Sequence, residues 1–269
     1  MRLFRYYAPE WGIKALRTME FRLSLATELN DPFELAPNVP SDQFSAEKIK
    51  SIYLDPTRQA EAYEVWGKPR GLSKRSFKMQ HEVRAVSMAE RDAQNAERAA
   101  AKMKAEFGRN FERHFGLICA TTDPDSILMW SHYALNHLGI VIEFETDDLG
   151  LGESCPAIQV TYTTERPNWQ HFSETSEFAD EAWRIATTKA VQWRYEKEYR
   201  IIIPRDAQLL GEGRFLKIPP RAIKSVTLGC RATDQTGKEV IEAITGKPIE
   251  LRLANQHESE YALTIQHGS

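Results

Sequence analysis

Cysteine is scarce in this chain: Cys119, Cys155 and Cys230 are its three, and they stand far apart. That number and spacing fit neither a disulfide framework nor a zinc-ligand pattern, so they read as small buried hydrophobes of a reducing compartment. No apolar run approaches the roughly 20 residues a bilayer-spanning helix needs. The opening Met1-Arg2-Leu3-Phe4-Arg5-Tyr6 lacks the apolar core of a signal peptide. The expectation is a cytoplasmic protein without membrane contact. A glycine-rich strand-turn-helix phosphate motif is missing, which disfavours Rossmann and P-loop functions. Gly-x-Ser-x-Gly is missing too, which weakens a hydrolase of that kind. His132 and His137 are spaced so that a helix does not bring them together, and no metal site is expected. A net charge of -3, from 35 basic against 38 acidic residues, exerts no global pull toward nucleic acid or anionic membrane.

What is present is an ordinary globular composition, 42% hydrophobic and 27% charged over 269 residues. The chain is organised around Trp193-Arg194-Tyr195-Glu196-Lys197-Glu198-Tyr199-Arg200-Ile201-Ile202-Ile203. The β-branched run closed by Pro204 reads as a buried strand. Glu196 and Glu198 stand one residue apart at its mouth, and in an extended chain they share a face. Two acids on one face repel, and in a dry site at least one is hard to ionise. The plain alternative is a solvated strand end in which both pair with Arg194, Lys197 and Arg200.

Along the chain, residues 3–7 read as a strand, 10–19 as a helix and 21–25 as a strand with Arg22 and Ser24 opposite its apolar set. Asn30-Asp31-Pro32 reads as a side-chain-to-backbone turn. From 45 to 113 the composition shifts to Ala, Glu, Lys, Arg and Gln, a helical insertion that Ser45 opens as an N-cap, with a long exposed helix over 83–107. Its basic residues Arg70, Lys74, Arg75, Lys78 and Arg84 line a polyanion path or form a solvated face. Further strands are expected at 115–121, 139–144, 158–162, 215–218, 223–229, 249–253 and 261–265. Helices are expected at 126–136, 174–191 and 238–245. No linker splits the chain, and strands at both ends and in the middle require long-range pairing. One α+β domain over 1–269, with a mixed or antiparallel β core and the helical insertion 45–113, is the economical reading.

Several blocks carry a resemblance: Leu3-Phe4-Arg5-Tyr6, Leu23-Ser24, Asn30-Asp31-Pro32-Phe33-Glu34, Leu128-Met129-Trp130-Ser131-His132-Tyr133, Asn136-His137-Leu138-Gly139, 193–201, and Ile218-Pro219-Pro220 through Leu228-Gly229-Cys230. In that order they resemble prokaryotic domain-of-unknown-function family 2971, whose name carries no activity. The layout also resembles the Arg-Ser-Glu pattern of ADP-ribosyltransferases, which have a split-sheet core. That second resemblance implies NAD as substrate. Arg5 would hold its phosphates, Ser24 would support the nicotinamide ribose, Glu198 would stabilise the oxocarbenium ion and Glu196 would face the acceptor. The departures are that Ser24 is not followed by Thr-Ser and that the gap to Glu198 is long.

Within this reading Tyr6, Asn30 and Asp31 join the cofactor site, while Trp130, His132 and Tyr133 offer stacking faces and an acid-base group for substrate. For Trp130 a core role competes. The chemistry follows from charge: cleaving a nicotinamide-ribose bond leaves positive charge at the ribose carbon, and a fixed carboxylate lowers that transition state. The expected activity is an NAD-dependent ADP-ribosyltransferase or NAD glycohydrolase. Its setting would be bacterial conflict, as a toxin or phage-defence effector with an antitoxin or defence-system partner and a protein or nucleic-acid acceptor. Two other readings stand beside it. One is a non-catalytic nucleic-acid or protein-binding module. The other is a metal-dependent nuclease built on Glu143, Glu196 and Glu198. The NAD reading expects the first strand and the late acidic strand to lie side by side and wall one pocket wide enough for a dinucleotide.

Overall fold

The computed structural model describes residues 1–40, 45–169, 175–205, 210–211 and 214–267. The chain begins with β1 (Arg2–Tyr7), α1 (Pro9–Thr18) and β2 (Glu20–Arg22), then α2 (Ala46–Tyr53), α3 (Pro56–Ala62), α4 (Lys74–Ala93) and α5 (Ala96–His114). It continues with β3 (Phe115–Thr121), α6 (Ile127–Tyr133), β4 (Ile140–Glu145), β5 (Ala157–Gln159), β6 (Thr161–Thr163), α7 (Thr175–Ala186) and β7 (Thr188–Ala190). The last third holds β8 (Glu198–Pro204), β9 (Leu210–Gly211), β10 (Phe215–Lys217), β11 (Ile223–Leu228), α8 (Asp234–Ile244), β12 (Glu250–Gln256) and β13 (Leu263–His267).

These elements form two compact units, one from Met1–Glu34, Asn110–Glu165 and Thr187–Ser269, the other from Leu35–Arg109 and Arg166–Ala186. The first contains an eight-stranded sheet in the order β13-β12-β11-β4-β1-β3-β8-β5. Its pairs are antiparallel except β11 with β12. The class is α+β, with a mixed, mostly antiparallel core sheet. Strand pleat sends alternate side chains to opposite faces. Leu3 and Tyr7 of β1, Ile118 and Ala120 of β3, and Ile201 and Ile203 of β8 join one cluster with Ile13 and Leu16 of α1 and Val240 of α8. Tyr6, Met129, Trp130, Val141 and Leu263 form another, against which Phe4 and Tyr133 pack.

Two features of this sheet shape the site. First, β1 and β8 are not neighbours, contrary to the expectation from sequence, because β3 runs between them. The β3 run 115–121 pairs along its whole length with β8, a better partner for a continuous apolar strand than the polar-interrupted β1. Second, β1 and β3 share a single register pair, Phe4 with Thr121. Beyond it Ser24 takes over as the bridge partner of Leu117, its N–H donating to the Leu117 carbonyl at 2.8 Å. The sheet is therefore parted between β1 and β3.

Other expectations shift locally. The strand foreseen at 158–162 is two strands in different sheets: Val160 N–H donates to Glu198 and Thr161 N–H to Thr187, which turns the chain from β5 into β6. The helix foreseen at 174–191 ends at Ala186 and gives way to β7, parallel to β6; its expected first residue, Glu174, lies outside the described residues. Helix α6 stops at Tyr133 rather than 136 because Leu135, Asn136 and His137 all adopt positive φ. A Cβ on Gly139 would lie 2.0 Å from the Tyr7 carbonyl, so only glycine lets this exit pass against β1.

In the second unit, Ser45 caps α2 by accepting from Lys48 N–H, as its sequence position suggests. The long helix expected at 83–107 is interrupted between α4 and α5. There the Asn95 amide donates to the Arg91 carbonyl at 3.0 Å, a side-chain bond that competes with helical continuation.

Candidate functional site

A cavity of about 200 Å³ opens where β1 and β3 part. Phe4, Arg5 and Tyr6 line it from β1, Cys119 and Ala120 from β3, and Ser24, Asn30 and Glu34 from the chain after β2. Lys189, Glu196, Glu198 and Arg200 complete its wall.

Along that wall lies a buried ionic cluster. Lys189 Nζ donates to Glu196 Oε2 at 2.6 Å and to Glu198 Oε2 at 3.1 Å, and stands 3.2 Å from Glu34 Oε1. Arg200 grips Glu198 with two donors, Nε at 2.7 Å and Nη2 at 3.0 Å, and also pairs with Glu34. Such forked guanidinium–carboxylate contacts are the stronger kind of charged hydrogen bond. Three carboxylates against two cations leave one negative charge when all are ionised. Tyr133 OH donates to Glu196 Oε1 at 2.6 Å, and Asn30 bonds the same hydroxyl.

The two glutamates converge as expected, but not by strand alternation. Glu196 ends a 3-10 turn over Val191–Glu196, and Lys197 takes a left-handed conformation, φ 45 and ψ 44, before Glu198 opens β8. Lys197 N–H donates to the Arg194 carbonyl across the turn at 3.2 Å, and its exposed Nζ lies 2.7 Å from Asp123 Oδ2. The turn brings both carboxylates onto Lys189.

Their environments push them apart. Burial raises both, but at Glu198 the charges of Arg200 and Lys189, with hydrogen bonds from Arg200 and Cys119, win and hold it at about 2. At Glu196 burial prevails over Lys189 and Tyr133, and its carboxyl sits above the ordinary value. Burial alone would lower the Lys189 ammonium, yet Glu198, Glu34 and Glu196 together hold it above its ordinary value. Adjacent carboxyls with divergent protonation are a common arrangement for acid-base division of labour.

Arg5 occupies the other side of the parting. It lies between Leu3 and Tyr7 on β1, so it leaves the sheet on the face opposite Glu198 and borders the cavity through the gap. Its Nη2 donates to the Arg22 carbonyl at 2.8 Å, and its guanidinium lies 5.0 Å from the Tyr7 ring centroid. A second pocket of about 360 Å³ shares Arg5, Tyr6, Asn30 and Tyr133 with the first and extends along Trp11, Lys14, Arg22 and His132.

The expected site residues divide accordingly. Glu196, Glu198, Arg5, Tyr6, Ser24, Asn30 and Tyr133 meet at one cavity. His132 lines only the second pocket. Asp31 is spent on its turn: Oδ1 accepts from Phe33 N–H at 2.9 Å and Oδ2 from Trp193 Nε1 at 2.8 Å. Trp130 is fully buried, its indole N–H on the Pro124 carbonyl at 2.9 Å and its ring edge-on to Tyr6, so it is core and not a stacking face. Tyr6 OH is likewise tied to the Asp123 carbonyl at 2.8 Å. Glu143 does not join Glu196 and Glu198. It sits on β4, with β1 and β3 intervening before β8, and is bound by Ser225 at 2.6 Å and Arg252 at 2.8 Å. The three-carboxylate metal site is therefore not assembled. Among the described residues no group of three His, Cys, Asp or Glu side chains is placed to hold a metal ion.

Two members of the cluster escaped the sequence reading. Lys189 fell inside the foreseen helix, although Thr187, Thr188 and Val191 around it are β-branched and favour a strand. Glu34 followed a recognised turn and carried no signal of its own.

Residues 129–201 match the family model of a protein of unknown function, DUF2971, which bears out that resemblance over this segment. The matched segment runs from α6 into β8 and carries Tyr133, Lys189, Glu196, Glu198 and Arg200. No curated protein and no solved structure matches the chain. No helix among the described residues is long and apolar enough to cross a membrane.

Proposed function

We propose that the cavity binds NAD and that the protein cleaves its nicotinamide-ribose bond, either transferring ADP-ribose to an acceptor or releasing it to water. Strands β1 and β8 are not neighbours, so the reading rests on the shared cavity alone: Arg5 borders it on one side and the Glu196–Glu198 pair on the other, and the second pocket, which shares Arg5, Tyr6, Asn30 and Tyr133, adds room beside it. The buried Arg5 guanidinium bonds a backbone carbonyl and lies over the Tyr7 and Phe21 rings with no carboxylate partner among the described residues, a state suited to a ligand phosphate.

In this mechanism the carbon–nitrogen bond breaks with its electron pair going to the nicotinamide ring, which leaves neutral. The ribose carbon becomes cationic. Glu198, ionised at neutral pH, and the net negative charge of the cluster favour that cation. Glu196, with its carboxyl raised, accepts the proton that the attacking hydroxyl or water gives up. Tyr133 and Lys189 orient Glu196 for this step. An intracellular effector of bacterial conflict, silenced by a partner until needed, is the setting this activity would serve.

A second reading rests on the saturation of the ionic cluster, in which Glu196 and Glu198 each bond a cation. It makes the cluster a structural fastener in a non-catalytic binding module. NAD separates the two, because a ligand that binds the folded state raises its unfolding temperature. Stabilisation by NAD and not by nucleic acid supports the enzyme, and the reverse supports the module.

A further inference from the structure

His137 and Cys230, distant in the chain, meet at a place that the glycosyl chemistry does not use. Cys230 Sγ lies 3.7 Å from His137 Nδ1, and His137 Nε2 lies 3.2 Å from Ser131 Oγ. The backbone builds this meeting by binding the end of β11 to the exit of α6. Gly229 N–H donates to the Gly139 carbonyl at 3.0 Å, and Arg231 N–H to the His137 carbonyl at 3.1 Å. A Cβ on Gly229 would lie 2.2 Å from the His137 carbonyl oxygen, so glycine is what allows the approach. The Trp130 ring lies 11° from parallel to the imidazole, with centroids 6.1 Å apart.

The hydrogen bonds decide which imidazole nitrogen carries the proton. Ser131 Oγ has one hydrogen and donates it to the Ile127 carbonyl at 2.9 Å. Toward His137 it can only accept, so Nε2 carries the proton and Nδ1 presents its lone pair to the Cys230 thiol. Burial and the Arg231 charge hold the imidazolium below its ordinary value, so the ring is a free base at neutral pH. Burial pushes the Cys230 thiol up, and the resting pair is S–H···N. A base so placed takes the proton as the sulfur attacks.

Cys230 is half-buried on the wall of a pocket of about 490 Å³, which Ile127, His137 and the β12–β13 hairpin at 256–263 complete. That volume suits a small molecule. Cys119 bonds Glu198 and Cys155 bonds Ser154, so among the described residues only Cys230 faces an imidazole. The amides after Cys230 favour one chemistry over another. Arg231 N–H and Ala232 N–H are spent on the His137 and Gly229 carbonyls, so neither receives the oxyanion of an acyl transfer. Attack on a disulfide sulfur needs no such donors.

We propose that Cys230 is a thiol-modification site that exchanges with low-molecular-weight disulfides, with His137 as its base. Sγ attacks one sulfur of the disulfide while its proton passes to His137 Nδ1. The S–S bond breaks, the departing thiolate recovers that proton from the imidazolium, and one free thiol leaves. Cys230 is oxidised to a mixed disulfide, and the small disulfide is the oxidant. None of this depends on the NAD reading.

The test incubates the full chain with cystamine at neutral pH and follows each cysteine by peptide mass mapping. The expected result is a mixed disulfide at Cys230 with release of cysteamine, formed ~10-fold or more faster than at Cys155, which is also half-buried. His137→Asn suits the positive φ of this position, and it lowers the Cys230 rate ~10-fold while Cys155 is unchanged. Ser131→Ala lowers the Cys230 rate too, because the imidazole is then free to carry its proton on Nδ1. Ser131→Thr keeps the hydroxyl and restores the rate. The proposal is overturned if Cys230 reacts no faster than Cys155, or if folded His137→Asn keeps the native rate. If Cys155 accelerates in His137→Asn, that variant has opened and Ser131→Ala decides: a lower Cys230 rate supports the proposal, and an unchanged one overturns it.

Discussion

Lys189 Nζ stands between Glu196 and Glu198, 2.6 Å from one carboxylate and 3.1 Å from the other. All three side chains are buried, so the ammonium bridges the two carboxylates away from solvent. It holds the acids at fixed separation while Arg200 holds Glu198 from the far side. The cluster is thus both a fastener between β7 and β8 and the source of the unequal protonation.

Removing the ammonium leaves Glu34, Glu196 and Glu198 with Arg200 alone. Lys189→Met keeps most of the volume and deletes the charge. It is expected to destabilise the protein by ~3–5 kcal/mol, the usual cost of stranding one side of a buried pair. Urea unfolding measures this; a loss below ~1 kcal/mol would mean that the cluster is far wetter than its burial implies.

The acid limb of stability follows from Glu198. Its folded value, about 2, lies below its ordinary 4.5, so the unfolded chain holds the proton more tightly. The stabilisation is fully present above pH 4.5 and is lost as pH falls toward 2. Glu196 has the opposite sign: with its folded value raised, stability declines as pH climbs above 4.5 toward that value. Glu198→Gln should flatten the first slope and Glu196→Gln the second. Unfolding free energies collected from pH 2 to 7, an experimental window of about 5 units, read both slopes. Identical profiles for the two variants would contradict the assignment.

Trp130 belongs to the core. Trp130→Ala should cost ~3–5 kcal/mol, the range for deleting a fully buried large aromatic. Any change in ligand affinity should follow from this loss of folded protein and disappear at low temperature or in a stabilising co-solvent. A direct effect on affinity in fully folded protein would restore the ligand-stacking role.

Tyr133 OH donates to Glu196 Oε1 at 2.6 Å, and under the proposed chemistry it acts through that carboxylate. Tyr133→Phe removes one charge-stabilising donor and raises the Glu196 carboxyl further. The expected signature is an acid limb of the rate profile displaced to higher pH, with NAD affinity little changed. Equal loss of rate at every pH would point to simple misfolding of the wall.

Much of this arrangement was legible in the sequence where local chemistry dominates. The β-branched run 201–203 could only be a buried strand, and Asn30-Asp31-Pro32 encoded its own turn through the Asp31 carboxylate. What stayed hidden depended on distant partners. Lys189 becomes a strand residue because β6 lies alongside it, and periodicity over 174–191 carries no trace of that pairing. The parting of β1 from β3 arises because Ser24 claims Leu117, a contact between residues far apart in the chain. Glu196 and Glu198 were expected to share a face by alternation; they converge instead through the left-handed Lys197, which the strand pattern does not announce.

The most direct test of the central claim is nicotinamide release from NAD by the purified chain, compared with Glu198→Gln in a preparation shown to be folded under the assay conditions. That control matters because Arg200 and Lys189 lose part of their anchor in the variant. The account predicts release by the native protein and a loss of ~100-fold or more in the variant. Absence of release, or release that survives the substitution in folded protein, would contradict it.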